Sequence, residues 1–297
     1  MKKHTFSLWS WLADSIEQII QVVALVIVTA LPFRFNFQAV VENKKPSLEI
    51  QELATYYALR HGNICIAVLL ALLMIVLFHK INSESVLNRG NRYHRRTMCE
   101  YWIYARLLGY KKCNLMRVPI ADQYKLILSD LFPEYICGDC EPAPEDETIS
   151  VRMYGNRPNS ESGIIMQHME ARDSSLKFQG NEIFLAISDT YPISEGMLPN
   201  ICTEQNTAII QRDQNKGDNV RYKSKALVRE LMKIIRGLNE STIVHIFPTT
   251  NVNNTFEIVN QIFKMAGRDN IEHLYVHSQP HKTAMDWKFS EKKKKIF

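Results

Sequence analysis

Residues Ser241–Ala266 read STIVHIFPTTNVNNTFEIVNQIFKMA. The run Ile243–Phe247 is short and almost wholly apolar, the pattern of a central parallel strand covered on both faces. A polar stretch, Pro248–Thr255, follows it. Val252, Phe256, Val259, Phe263 and Ala266 then fall on one face of a helix over residues 252–266, with Gly267 just beyond it. Asn254 with Glu257 three residues on resembles a capping pair, and Thr249, Thr250 or Asn251 are alternative caps. A buried strand feeding an amphipathic helix through a polar loop is the repeating piece of an α/β fold.

The same grammar extends outward. Glu182–Ile187 (EIFLAI) is a second apolar strand, and Thr207–Gln211 and Ile271–His277 are further candidates. Thr148–Tyr154 alternates as a half-buried strand should. Leu227, Leu231, Ile234, Ile235 and Leu238 share one face of residues 222–238, ended by Gly237 and Asn239. Ala121–Phe132 reads as a helix stopped by Pro133, and Cys137–Glu147 as an acidic loop. The alternation predicts an α/β domain, a twisted sheet flanked by helices.

The first eighty residues have another character. Gly62–Phe78 (GNICIAVLLALLMIVLF) carries no charge and closes on His79-Lys80. Ile19–Phe33 is comparable, with Gln21 inside it and Pro32 and Arg34 at its end. Runs of this length suit membrane-spanning helices. The alternatives are buried core helices or, for the first, a signal peptide; Asp14 and Glu17 before the run and Leu31-Pro32-Phe33 after it do not suit a signal peptide.

The chain has 297 residues and a net charge of +5, and 46% of it is hydrophobic, which excludes collagen-like or wholly disordered classes. Six cysteines are too few for a disulfide scaffold. The charge is unevenly distributed: residues 1–79 are net +1, residues 80–118 net +7 and residues 119–297 net −3. Arg89, Arg92, Arg95, Arg96, Arg106, Lys111, Lys112 and Arg117 form this basic collar. The positive-inside rule places the collar and both termini in the cytoplasm and the connection 34–61 outside. Trp9 and Trp11 fit an interfacial aromatic belt. The collar reads as a lipid-headgroup contact. The expected division is residues 1–80 for two spanning helices, 81–112 for a basic linker and 113–297 for the α/β domain.

Asp14, Glu17, Gln18 and Gln21 fall at i, i+3, i+4 and i+7, a polar stripe on the first helix. One reading puts the acids at the headgroups, favoured by the helix dipole. The other makes the stripe a self-association surface or pore lining.

Ligands of open α/β sheets bind beyond the carboxyl ends of the strands. Three loops are expected there: Ser188-Asp189-Thr190-Tyr191, Pro248–Thr255 and the stretch from Gln211-Arg212 to Lys225. The second is rich in hydroxyls and amides at a helix start, which suits phosphate or ribose. The third supplies Arg221, Lys223 and Lys225 for phosphate, while Tyr191 and Tyr222 could stack on a base. Helix caps and solvated faces are the plain alternative for each. Cys137-Gly-Asp-Cys140 is a lone CxxC and reads as reduced thiols. His245 reads as a packed core histidine, and His273 and His277 as a weak pair on one strand. No P-loop, GxSxG or HExxH motif is present, and no catalytic dyad or metal site assembles, so an enzyme is not expected.

The runs Glu182–Ile193, Lys225–Leu238, Ser241–Ala266 and Ile271–His277 together resemble the C-terminal half of a SAVED domain, built of two CARF-like Rossmannoid halves. The resemblance covers about a third of the chain, and residues 113–180 would supply the first half by position. It implies a receptor for a cyclic di-, tri- or tetranucleotide in CBASS-type antiphage defence. Ligand binding would assemble a homo-oligomer whose two-helix segment disrupts the inner bilayer, ending in abortive infection. It also implies no cofactor and no DNA or RNA polymer as partner. By this analogy the ligand contacts are Ser188, Thr190, Tyr191, Thr249, Thr250 and Asn251, with Lys223 and Lys225 on phosphates. Arg152, Tyr154 and Arg157 stand for the first half. The rival readings are a membrane-anchored nucleotide phosphodiesterase using His245 or His273, and a protein-binding membrane adaptor.

Overall fold

The computed structural model describes residues 8–34, 62–90, 93–154, 176, 178–212, 221–266, 270–279 and 288–297, with side chains placed from Ser15 in the first helix and up to Lys264 in the last one. The chain forms two compact units.

The first unit is built on two long helices, α1 (Leu8–Arg34) and α2 (Gly62–Asn82). Ser15–Arg34 and Gly62–Asn82 are both long and apolar enough to cross a membrane. Their apolar side chains are largely uncovered, among them Ile20, Val26, Leu69 and Val76, which separates them from the core helices of a water-soluble protein. Pro32 sits in the last turn of α1, where the helix is ending and no further turn loses a hydrogen bond. The two helices pack on each other through a polar pair: Gln21 Nε2 donates to Asn82 Oδ1 at 3.2 Å, and Asn82 Nδ2 returns a bond to Gln21 Oε1 at 3.0 Å.

The basic stretch after α2 is folded. β1 (Val86–Leu87) leads to α3 (Met98–Arg106) and β2 (Lys112–Asn114), and β3 (Glu134–Ile136) completes a three-stranded sheet in the order β1-β2-β3. Thr97 and Glu100 close a reciprocal capping box at the start of α3. Tyr101 and Tyr104 point inward, and Tyr101 meets Phe132 edge to face at 6.2 Å.

The second unit contains α4 (Ile120–Ser129) and a six-stranded sheet. Its strands are β5 (Ile149–Met153), β6 (Glu182–Ser188), β7 (Thr207–Arg212), β9 (Thr242–Pro248), β10 (Ile271–His277) and β11 (Lys293–Lys295). The order is β11-β10-β9-β6-β7-β5. The four inner strands are parallel, while β5 and β11 run antiparallel at the edges. A two-stranded ribbon pairs β4 (Glu141–Pro142) with β8 (Tyr222–Lys223). Burial on both faces explains the continuous apolar runs: Ile183 through Ser188 are all buried.

One face carries Phe184, Ala186, Ile209, Phe247 and Phe289 in a single cluster with Ile193 and Leu198. Against β5 and β7 packs α5 (Lys225–Arg236), which buries Leu227, Val228, Leu231 and Ile235. The helix after β9 begins as α6 (Val252–Ile258) and continues as a π-helical segment over Val259–Ala266, which packs on α4 and α5. The expected helix over 252–266 is therefore continuous but changes its winding after Ile258. The edge strand β11 had no sequence signal, since LysLysLys reads as a solvated tail. Backbone pairing to β10 makes it a strand: β10 supplies an edge of open amides and carbonyls, and the register needs no side-chain pattern.

Candidate functional site

The parallel strands β6, β7, β9 and β10 end on one edge of the sheet, at Ser188, Arg212, Pro248 and His277. β6 is followed in the chain by β7 on one side, whereas β9, also paired with β6, is followed by β10 on the other. Strand order thus reverses at β6, the switch point where loops diverge and leave a crevice. The described parts of three loops, 189–191, 221–224 and 249–254, meet there through hydrogen bonds.

Asp189 is the hub of the edge. It is buried, and its Oδ1 accepts from Arg212 Nη1 at 3.2 Å. Its Oδ2 accepts from the Asn251 backbone amide at 3.0 Å, Asn251 Nδ2 at 3.0 Å and Asn254 Nδ2 at 2.8 Å. Burial raises this carboxyl above its ordinary range, and the Asn251 amide, Asn254 and Arg212 pull it back. Arg212 in turn donates from Nε to Glu147, which also accepts from the Ser224 hydroxyl. The Arg212 guanidinium lies over the Tyr222 ring, 4.9 Å from its centroid.

The same residues start both helices. Asn251 caps α6 by accepting from Asn254 N at 2.9 Å, and Ser224 caps α5 by accepting from Leu227 N at 3.0 Å. The Ser224 amide donates to Asn254 Oδ1 at 2.8 Å. The Tyr222 carbonyl accepts from Asn251 at 2.9 Å and Asn254 at 3.0 Å. Of the caps the sequence allowed, Asn251 rather than Asn254 does that work, and the Asn254 side chain binds Asp189 and Tyr222.

The expected ligand residues of these three loops divide into buried and rim positions. Ser188, Thr249 and Asn251 are buried and spend their polar atoms on the protein. Ser188 Oγ donates to the Tyr191 carbonyl at 3.1 Å, and Thr249 Oγ1 accepts from the Asp189 amide at 3.2 Å. Thr190, Tyr191, Thr250, Tyr222 and Lys223 are half-buried along the rim, and Lys225 is exposed. The Thr190 hydroxyl bonds the Thr249 carbonyl, and the Tyr191 hydroxyl bonds the Gln279 side chain. Thr250 and Thr255 share a hydroxyl pair at 2.7 Å. Lys223 pairs with Glu257 on α6.

Arg152 and Tyr154 are not brought to this edge. β5 runs antiparallel to β7, so Arg152 sits opposite Ile209 and Met153 opposite Ala208, toward the other end of the sheet. Arg152 there pairs with Glu195 at 2.8 Å. Arg157 lies outside the described residues. The reversal that takes Arg152 away brings Glu147 in, because the first residue of β5, Ile149, pairs with Arg212. Asp189, Glu147, Arg212 and Asn254 are absent from the expected contacts, although Asp189, Arg212 and Asn254 fall within the three expected loops. A run of acids in a loop gives no sign of which carboxylate turns inward.

The Cys137–Cys140 loop borders the crevice. Both thiols are free, and Cys140 Sγ donates to the Arg221 carbonyl at 2.7 Å. Burial pushes the Cys137 thiol up to about 11, leaving it protonated. Asn253 Nδ2 ties this loop to α6 through the Gly138 carbonyl at 3.1 Å.

His245 is a packed residue within the sheet, stacked between Phe184 and Tyr275. Its Nδ1 lies 3.0 Å from His277 Nε2, while His277 Nδ1 donates to the Ser290 carbonyl at 3.0 Å. On its other side His245 Nε2 lies 2.8 Å from the Glu182 carboxylate, so the ring sits between that carboxylate and His277. Burial, then His277 and Lys293, push His245 down to about 3. Among the described residues no group of three or more His, Cys, Asp or Glu is placed to hold a metal ion.

In the first unit Gln18 is buried and donates to Tyr110 Oη at 3.1 Å, and Gln21 is engaged with Asn82. Glu17 is exposed, and the Asp14 side chain lies outside the described ones. Two members of the polar stripe are therefore spent within the unit.

No curated protein matches the sequence. Among solved structures the chain is similar to the Acinetobacter baumannii Cap4 SAVED/CARF-domain containing receptor with the cyclic trinucleotide 2'3'3'-cAAA, at 9% identity and a TM-score of 0.39 over 67% of this chain. It is likewise similar to the same receptor with 3'3'3'-cAAA, at 9% identity and a TM-score of 0.36 over 66% of this chain. The match spans 41% and 44% of those receptor chains. The sequence model of the SMODS- and Ubiquitin system-associated 2TM effector domain matches residues 3–296, and the chain belongs to that family.

Proposed function

We propose that this protein is a two-pass membrane effector of bacterial antiphage defence, whose α/β domain binds a cyclic oligonucleotide on the cytoplasmic side. Binding assembles copies of the chain, and the assembled two-helix segments breach the inner membrane. The observation that carries the reading is the switch-point rim, where Thr190, Tyr191, Thr250, Tyr222 and Lys223 lie half-buried beside the starts of α5 and α6. Helix starts and a lysine suit phosphates, and the tyrosines suit bases. The same chain carries two helices of spanning length, and its family is one of 2TM effectors. The sequence resemblance to SAVED domains points to the same ligand class. Coupling requires only that the ligand bind the assembled state more tightly than the single chain.

Among the described residues, Ser188 and Thr249 bond backbone groups and His245 is closed inside the sheet, which favours binding over turnover. The role is therefore read as binding. The test is a panel of cyclic di-, tri- and tetranucleotides added to the full chain in detergent micelles. A thermal upshift with one ring, its mass unchanged after incubation, supports a receptor. Hydrolysis of the ring, or no shift with any member, overturns the reading.

A further inference from the structure

The exposed face of α3 carries chemistry that the proposed ligand site does not use. Tyr101 and Tyr104 are buried beneath this helix, whereas Cys99, Trp102 and Arg106 lie at i, i+3 and i+7 on its outer side. Trp102 is 49% exposed, a large indole left uncovered.

The position of this face along the spanning helices is fixed by hydrogen bonds. His79 Nε2 donates to the Arg106 carbonyl at 2.9 Å, and Asn82 Nδ2 donates to the Leu108 carbonyl at 2.7 Å. Gly109, at φ +75°, passes so close to α2 that a Cβ there would overlap His79. On the other helix Gln18 reaches Tyr110. The C-terminal end of α3 is thus pinned to the level of His79–Asn82 on α2 and Gln18 on α1. Apolar surface is open up to that level, at Ile81 on α2 and at Ile16 and Ile20 on α1. This level is the end of the apolar spans, where a bilayer gives way to its headgroups.

The charge around it is complementary to anionic lipid. Lys80, Arg89, Arg106 and Lys111 are exposed. Of the described acids near it, Glu84 and Glu134 lie 2.9 and 3.7 Å from Lys112 and Glu100 closes the box at Thr97, while Glu17 on α1 is exposed and is outnumbered by these four cations.

We propose that the outer face of α3 is a bilayer anchor, with Trp102 seated among the lipid carbonyls and Arg106, with Lys80 and Lys111, holding phosphates of anionic lipid headgroups. Indole rings favour this depth and basic side chains this charge. The anchor fixes how deep the cytoplasmic ends of α1 and α2 sit. It rests on the spanning reading of α1 and α2.

The test uses the full chain in vesicles. Of four tryptophans, Trp9, Trp11 and Trp287 are replaced by Phe to leave Trp102 as the reporter. In phosphatidylethanolamine–phosphatidylglycerol vesicles, Trp102 should emit at short wavelength and be quenched by lipids brominated near the carbonyls. Arg106→Glu with Lys111→Glu should shift it toward water-like emission, and pure phosphatidylcholine should do the same to the unaltered reporter. Free inorganic phosphate should not compete, which separates a headgroup from a phosphate site. A Leu72→Trp reporter, on a background with the native tryptophans replaced, reads the span itself with lipids brominated deep in the chains. Quenching at Leu72→Trp with water-like, unquenched emission at Trp102 overturns the anchor and leaves the spans standing. Quenching at neither position overturns both. If the reporter chain does not fold, a bimane on Trp102→Cys gives the same readout in a chain that keeps its other tryptophans and has Cys65, Cys99, Cys137 and Cys140 replaced by Ser.

Discussion

The Asp189 carboxylate accepts from both the backbone amide and the side-chain amide of Asn251, each at 3.0 Å, across the ends of two neighbouring strands. One carboxylate thereby sets where β6 ends and where α6 begins. Its other oxygen faces Arg212, and through Glu147 the chain of bonds reaches the cap of α5. The rim is held from beneath by these buried groups.

Asp189→Ala leaves Arg212 half-compensated and the amides of Asn251 and Asn254 short of an acceptor. The expected cost is about 3 kcal/mol, in the range for breaking a buried ion pair. Thermal or urea unfolding of the full chain in micelles measures it. A cost below about 1 kcal/mol would mean that water replaces the carboxylate.

Lys223→Glu and Thr250→Arg act on the rim and should spare the fold, since Lys223 is partly exposed and Thr250 half-buried. Each should weaken binding of the cyclic nucleotide at least tenfold, as expected for losing one charge-assisted phosphate bond or filling the crevice. Calorimetric titration beside an unchanged melting temperature checks this. Unchanged affinity in both variants places the ligand elsewhere.

His245 and His277 make the α/β domain acid-sensitive. The folded pKa of His245 is depressed from 6.5 to about 3, and that of His277 is lowered by burial. A depressed group stabilises the fold fully above its unfolded pKa, and that stability drains away as pH falls from 6.5 toward 3. Melts at pH 7.5 and 4.5 should differ strongly in the native chain and less in His245→Phe.

In the helical hairpin, Gln21→Leu removes one half of a reciprocal amide pair and leaves Asn82 with its bond to Leu108. The expected cost is about 1 kcal/mol, typical of a hydrogen bond between spanning helices. Asn82→Leu should cost more, because it also abandons the Leu108 carbonyl. A double-mutant cycle in micelles separates the two. A coupling near zero would mean that the pair does not hold the hairpin.

Periodicity alone determined much of this protein. Long apolar runs marked the two long helices, whose side chains stay largely uncovered by protein, and short ones marked the inner strands β6 and β9, where cover on both faces leaves no polar face to write. Leu227 and Leu231, or Val259 and Phe263, marked helices covered on one side only. These are statements about hydrophobic patterning, which is local, so one sequence displays them. The meeting of Ser188, Thr249 and Lys223 loops at one edge also followed from the rule that parallel strands end together. Which of their side chains turn inward was decided only in three dimensions. Ser188, Thr249 and Asn251 became scaffold, and Thr190, Thr250 and Lys223 remained on the rim. Gln18 and Gln21 found Tyr110 and Asn82, 92 and 61 residues away. Arg152 left the site and Glu147 entered it because β5 runs against its neighbour. Strand direction at an edge depends on backbone pairing across the chain, and buried polar groups choose partners by proximity after folding; neither is written in the order of the residues.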